Sequence, residues 1–206
     1  DDNDTPFEFD GGVILQVPDG LSIIDGDSFE VGVGAQNIIF EFEDINISDG
    51  VFGNHVAISF DPSSTAEEMA GLVAAAISSN LNVGGNVLSE GKIHLGWNQG
   101  LSVVLTNAPP AMQQQGNTTL IDPDARRVQV INHPSFNETD VADAIASSIN
   151  AAGNSKLRAS RVGTLSGDPR IALVGVKAVT VSTILTVPAG GFQDGDLIEV
   201  TNGSQS

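Results

Sequence analysis

The chain has 206 residues, a formal net charge of −18 with eight Lys and Arg in all, 40% apolar residues and no cysteine. Nucleic acid and anionic membrane surfaces, whose phosphates need neutralising, are poor partners for it; cations are the natural counterparts, and disulfides and thiolate sites are ruled out. The apolar content suffices for real cores, and the length fits two small domains.

No window approaches the roughly eighteen apolar residues of a membrane span, so no membrane insertion is expected. The sequence opens on acidic DDNDTPFEFD and not on a basic, apolar leader, so no signal peptide is expected in it; a secreted protein would have shed one already. Residues 1–12 read as an acidic lead-in. Asp1, Asn3, Asp4 and Pro6, with Phe7 or Phe9, resemble the calcium linker of cadherin-type repeats, although Thr5 replaces the second Asn of that motif and one residue is missing before Pro6.

From Val13 the pattern is β-like. VILQV, a turn at Pro18-Asp19-Gly20, SFEVGV and NIIFEFEDINI follow one another, and strict alternation in Ile39-Phe40-Glu41-Phe42-Glu43 predicts an antiparallel sheet with one face buried and one wet. A strand at 55–60 ends at Asp61-Pro62. Ser64 and Thr65, each with a Glu three residues on, offer overlapping capping boxes and start a helix over 65–79, with Met69, Leu72, Val73, Ala76 and Ile77 on its apolar face. Strands are expected again at 86–88, 92–95 and 101–106. The run APPAMQQQGN, residues 108–117, is the one break in composition and marks a boundary, so 13–110 is the first β-rich module.

Residues 111–182 form a shorter second module, with strands near 118–121, 127–131, 157–162, 170–174 and 178–181 and a helix over 138–151 capped by Asn137 or Thr139. Its centre repeats the first module at a single constant offset: Val56, Ile58, Pro62 and Ser63 meet Val128, Val130, Pro134 and Ser135, and Met69, Val73 and Ile77 meet Val141, Ile145 and Ile149. It lacks a counterpart of the long SFEVGVGAQNIIFEFED hairpin. A second, longer-range echo matches Ile14, Leu15, Val17 and Pro18 with Ile184, Leu185, Val187 and Pro188, and Asp25-Gly26-Asp27 with Asp194-Gly195-Asp196. Residues 183–206 therefore read as the opening strands of a further module. The fold expected is α+β and β-rich: two tandem modules, each a mainly antiparallel sheet with one packed helix.

These motifs resemble the repeat modules of very large secreted bacterial surface and adhesin-like proteins. The matching stretches are Asp25 to Val31, Phe40 to Asp44, Val56 to Phe60, Thr65 to Ile77 and Ile93 to Gly96. The resemblance implies an extracellular structural or adhesive role and brings no catalytic residue.

His55, His94 and His133 form no helical zinc pair, no GxSxG or P-loop is present, and the chain has no Tyr, so no enzyme activity is expected. The acids Asp1, Asp2 and Asp4, with Asp25, Asp27, Asp194 and Asp196, are hard oxygen donors that suit Ca²⁺. No single loop supplies the roughly six to eight oxygens it needs, so calcium would bridge modules. N-x-[ST] triplets at Asn3, Asn46, Asn117, Asn137 and Asn202 are candidate glycosylation sites.

Charge is uneven. Residues 1–110 hold seventeen acids and one base, Lys92, against nine acids and seven bases in 111–206, which suits a polar subunit stacking head to tail. The reading is an extracellular structural subunit of a filament or surface layer, a homopolymer whose residues 183–206 are either added as strands to another copy through Ile184, Leu185, Val187, Ile198 and Val200 or, in the competing account, folded back on the second module of their own chain. The alternative is a calcium-dependent adhesin segment binding glycan or another cell.

Overall fold

Alternation sets the first sheet: Phe29, Phe40, Phe42 and Phe60 all turn inward and are at most 2% exposed, with Phe29 stacked on Phe40 at 5.4 Å and Phe42 edge-on to Phe60 at 6.1 Å. In chain order the first strands are β1 (Thr5–Asp10), β2 (Val13–Gln16), β3 (Ser28–Val33), β4 (Gln36–Asp44) and β5 (Val56–Phe60), followed by helix α1 (Ala66–Asn80). Next come β6 (Asn86–Val87), β7 (Lys92–Gly96), β8 (Leu101–Asn107), β9 (Gln113–Gln115) and β10 (Arg126–Gln129), then α2 (Glu138–Ala151). The last strands are β11 (Leu157–Arg161), β12 (Arg170–Gly175), β13 (Ser182–Thr186) and β14 (Leu197–Val200). The computed structural model describes residues 5–47, 49–98, 100–116, 123–130, 137–151, 157–162, 170–175, 182–186 and 197–200; at 5, 157, 175, 182–186 and 197–200 only the backbone is described. The strands expected at 118–121 and 178–181 lie outside these residues.

The chain divides into two compact units, Gly12–Thr118 and a discontinuous one made of Asp1–Gly11 with Thr119–Ser206. The class is α+β and β-rich, with mostly antiparallel sheets. In the first unit the sheets run β5-β4-β3-β8 and β6-β7-β2-β9. The Gln-rich run placed at the module boundary belongs here, because β9 pairs with β2, Ile14 opposite Gln115, and Met112 is buried.

Helix α1 starts on the capping box that the sequence advertises: Thr65 Oγ1 accepts from the Glu68 N–H, and Glu68 Oε2 accepts from the Thr65 N–H at 2.8 Å. Two orphan donors are satisfied at once. It buries Met69, Ala70, Val73, Ala74 and Ile77 against β5, β6 and β7. Leu72, expected on this face, is 39% exposed. The buried stripe is centred on 69, 73 and 77 and flanked by the two alanines, which puts position 72 at its edge.

The other unit is built from the same parts. Helix α2 buries Val141, Ala142, Ile145, Ala146 and Ile149, the repeat counterparts, in order, of the five buried α1 residues, against β10, β11 and β12. Asn137 caps it, its Oδ1 accepting from the Thr139 and Asp140 N–H groups at 2.8 and 3.3 Å. Strand β13 pairs with β12 by Ile184 opposite Ala172 and Leu185 opposite Ile171, repeating Ile14 opposite His94 and Leu15 opposite Ile93 between β2 and β7.

Here the structure corrects the reading of both ends of the sequence. The pattern of residues 183–206 predicts the opening of a further module, yet β13 and β14 pair within this chain, with β12 and with β1. The second module is expected to lack the long hairpin, yet the hairpin's counterpart is present in two pieces. Phe7 of β1 stands opposite Ile198 of β14 as Phe40 stands opposite Phe29, and β1 runs parallel to β10 as β4 runs parallel to β5. Residues 5–10 are thus a sheet strand between β10 and β14, not part of a solvated lead-in. The physical reason lies in Phe7-Glu8-Phe9-Asp10, which alternates like Phe40-Glu41-Phe42-Glu43. Phe7 and Phe9 are 2% and 0% exposed, and burying each contributes about 1.5–3 kcal/mol that a lead-in in water would forgo.

Candidate functional site

The acidic turn Asp25-Gly26-Asp27 is pinned to β4 from both sides. The Gly26 N–H donates to the Phe42 carbonyl at 2.9 Å and the Phe42 N–H donates to the Asp27 carbonyl at 2.8 Å. The Asp27 carboxylate is consumed locally, accepting from the Ile24 N–H at 2.8 Å. Asp25 instead reaches the end of β4, its Oδ1 accepting from the Asp44 N–H at 2.6 Å.

Because β4 alternates, the face opposite its phenylalanines carries Glu41 and Glu43, 6% and 9% exposed. They are covered by the crossover between the parallel strands β4 and β5, which the structure describes at 45–47 and 49–55. Its backbone supplies their partners: Gly50 N–H donates to Glu43 Oε1 at 2.9 Å, Phe52 N–H donates to both Glu41 oxygens at 3.1 and 3.2 Å, and the His55 ring contacts Glu41 Oε2. Buried carboxylates need such donors, and these two hold the crossover to the sheet.

Asp49 lies exposed on the crossover. Asp25, Glu43 and Asp49 bring one carboxylate oxygen each to within 4.8 Å of one another. Three hard, anionic oxygens at that spacing can hold a metal ion, and their chemistry suits Ca²⁺ or Mg²⁺ rather than a thiophilic metal. The sequence points to Asp25 as a ligand but not to Glu43 or Asp49. The signal it offers is the alternation of β4, which puts Glu43 on the face opposite the phenylalanines and next in sequence to Asp44, the residue Asp25 holds.

Of the remaining expected ligands, Asp27 closes its own turn, and Asp1, Asp2, Asp4, Asp194 and Asp196 lie outside the described residues. Asn46 and Asn137 are exposed. Asn46 donates to Asp44 Oδ1 at 2.9 Å, and Asn137 caps α2 as above. Asn3, Asn117 and Asn202 lie outside the described residues. Trp97, the one tryptophan, is partly buried with its ring edge-on to His94 at 4.5 Å.

A second charged feature sits in the other unit. Asp10 of β1 and Arg127 of β10 form an ion pair, Nε to Oδ2 at 2.5 Å, with side chains 4% and 15% exposed. Arg127 is the repeat counterpart of His55, and in the β10 register Asp10 takes the place of Glu41, so this pair repeats the His55–Glu41 contact. The longer-range echo places Ile184 and Leu185 in β13 and Ile198 and Val200 in β14. Val187 lies outside the described residues. Val200 stands opposite Thr5, so the β14 positions expected to meet another chain face β1 of this one. Among the described residues no helix is long and apolar enough to cross a membrane.

Comparison with protein-family models, with curated proteins and with solved structures finds no match to this chain.

Proposed function

We propose that this chain is a structural subunit of an extracellular filament or surface layer, assembling with copies of itself head to tail. One observation carries the reading: the unit of residues 119–206 takes its central strand, β1, from the far end of the sequence. A fold closed by a distant strand of its own chain can be closed equally by that strand of a neighbour, and a contact of this kind is heterologous and propagates. The resemblance to repeat modules of secreted surface proteins supports the extracellular part. The assembly part is supported by the β4–β5 crossover, which turns Ile45, Ile47 and Phe52 outward at 51, 57 and 78% exposure and offers apolar contact area. Electron microscopy of the purified chain tests the proposal. Regular filaments or sheets are expected, and single particles at every concentration would defeat it.

The Asp25, Glu43 and Asp49 cluster favours a second reading, a calcium-dependent adhesin segment binding glycan or another cell. In that reading Ca²⁺ fastens the crossover to the acidic turn and stiffens the surface carrying Phe52. Calorimetric titration with Ca²⁺ tests it, and heats no larger than those of dilution would dismiss it.

A further inference from the structure

We infer that β1 is an exchangeable strand, that the cleft between β10 and β14 of a second copy is its binding site, and that the Asp10–Arg127 ion pair fixes its register there. This rests on the self-assembly reading above and names the segment and contacts that would carry it.

Four observations converge on β1. It sits between its neighbours, parallel to β10 on one side and antiparallel to β14 on the other, so its main chain satisfies two strand edges. Its side chains are a complete plug: Phe7 and Phe9 enter the core formed by Val128, Val141, Ile145 and Ile149, and Glu8 and Asp10 are 3% exposed. It has no hairpin partner next to it in sequence, because β2, which follows, belongs to the other unit. The link between them is Gly11-Gly12, in which Gly12 has φ +69°, a conformation open to glycine and strained for other residues.

Register is the weak point of any added strand, since a slip of one residue would turn Phe7 and Phe9 to the wrong face. Main-chain bonds alone do not prevent it. The Asp10–Arg127 pair does, because that one-residue slip leaves two largely buried charges apart. Specific pairing by a buried charge also selects the partner: a strand of similar pattern without the acid, or with a base, is rejected. The occupant this cleft favours is therefore residues 5–10 of another copy of this chain.

Two full-length charge variants test the inference. Asp10→Lys and Arg127→Glu each set like charges together when a chain closes on itself or on its own kind. In an equimolar mixture the native Asp10 of the second variant meets the native Arg127 of the first, and the new lysine meets the new glutamate. The mixture should associate at least about tenfold more strongly than either variant alone, read by light scattering coupled to size exclusion. A mixture that behaves as the sum of its parts overturns the inference. Matched complexes that stop at two chains support strand exchange while refuting the filament, whereas longer matched assemblies support both.

The unaltered chain gives an independent readout should the variants fold poorly. Refolding from denaturant at rising concentration should yield oligomers in proportion to concentration, and inserting a long Gly-Ser segment between Gly11 and Gly12 should shift the yield toward monomer by easing closure in one chain. Monomer at every concentration, or an insertion without effect, contradicts it.

Discussion

Arg127 holds Asp10 in the unit of residues 119–206 as His55 holds Glu41 in the other, a base at the head of one strand gripping an acid on the parallel strand beside it. The first of these pairs joins segments from distant parts of the sequence, and so bears on how that unit closes.

Removing one partner of that pair should therefore cost more than a surface charge would. Asp10→Ala leaves a largely buried guanidinium without its counter-charge, a loss of about 3–5 kcal/mol. Denaturant unfolding should show one transition moving and a second, from Gly12–Thr118, staying in place. A shift under about 0.5 kcal/mol would mean that the pair is a surface contact.

Ile77 and Ile149 are 0% and 1% exposed at matching positions of α1 and α2. Either Ile77→Asp or Ile149→Asp sets a carboxylate without a partner in a core, at a cost of several kcal/mol. Each should remove the cooperative unfolding of its own unit only, seen by circular dichroism on heating. Unchanged curves for both would contradict the equivalence of the two helices.

Added calcium should raise the melting temperature, since a ligand that binds only the folded state stabilises it by about 2.7 kcal/mol at a hundred times its dissociation constant. Asp49→Asn is the clean control, because Asp49 is exposed, whereas Glu43 also anchors Gly50. That variant should keep its stability in EDTA and lose most of the calcium response. An equal response in both proteins would remove Asp49 from the site.

Ser63 holds the Asp61 carboxyl below the usual range, first through its backbone N–H at 2.8 Å and then through its hydroxyl at 2.7 Å. With the folded value lowered, the stabilisation is present above the unfolded carboxyl value of about 3.9 and is lost as pH falls through the folded value. Ser63→Ala keeps the N–H donor and removes the hydroxyl, so an NMR titration should find Asp61 moved part of the way back. No movement would assign the whole effect to the backbone.

Local chemistry is easy to read in this sequence and closure is not. The α1 capping box, the alternation of β4 and the repeat that relates α1 to α2 all rest on local patterns. The first and last have their expected counterparts in the fold, whereas the alternation of β4 buries its phenylalanines as expected but its glutamate face, expected to be wet, is covered by the crossover and β4 pairs parallel with β5. The place of β1 depends on pairing with segments more than a hundred residues away, which no local pattern specifies. Its signal is nevertheless present, since Phe7-Glu8-Phe9-Asp10 alternates as Phe40-Glu41-Phe42-Glu43 does, and it is masked by the acids around it, which favour a solvated reading. The acidic cluster that could hold a metal ion is half legible for a similar reason. Asp25 announces itself in a turn motif, whereas Glu43 and Asp49 join it only once the crossover folds back over β4.

Hydrogen exchange over residues 5–10 tests the central claim most directly. If β1 closes the unit of residues 119–206, its amides should exchange as slowly as those of α2 and β10, and Asp10→Ala should release all three segments together. Fast exchange across 5–10 in the native protein, with α2 still protected, would contradict the account.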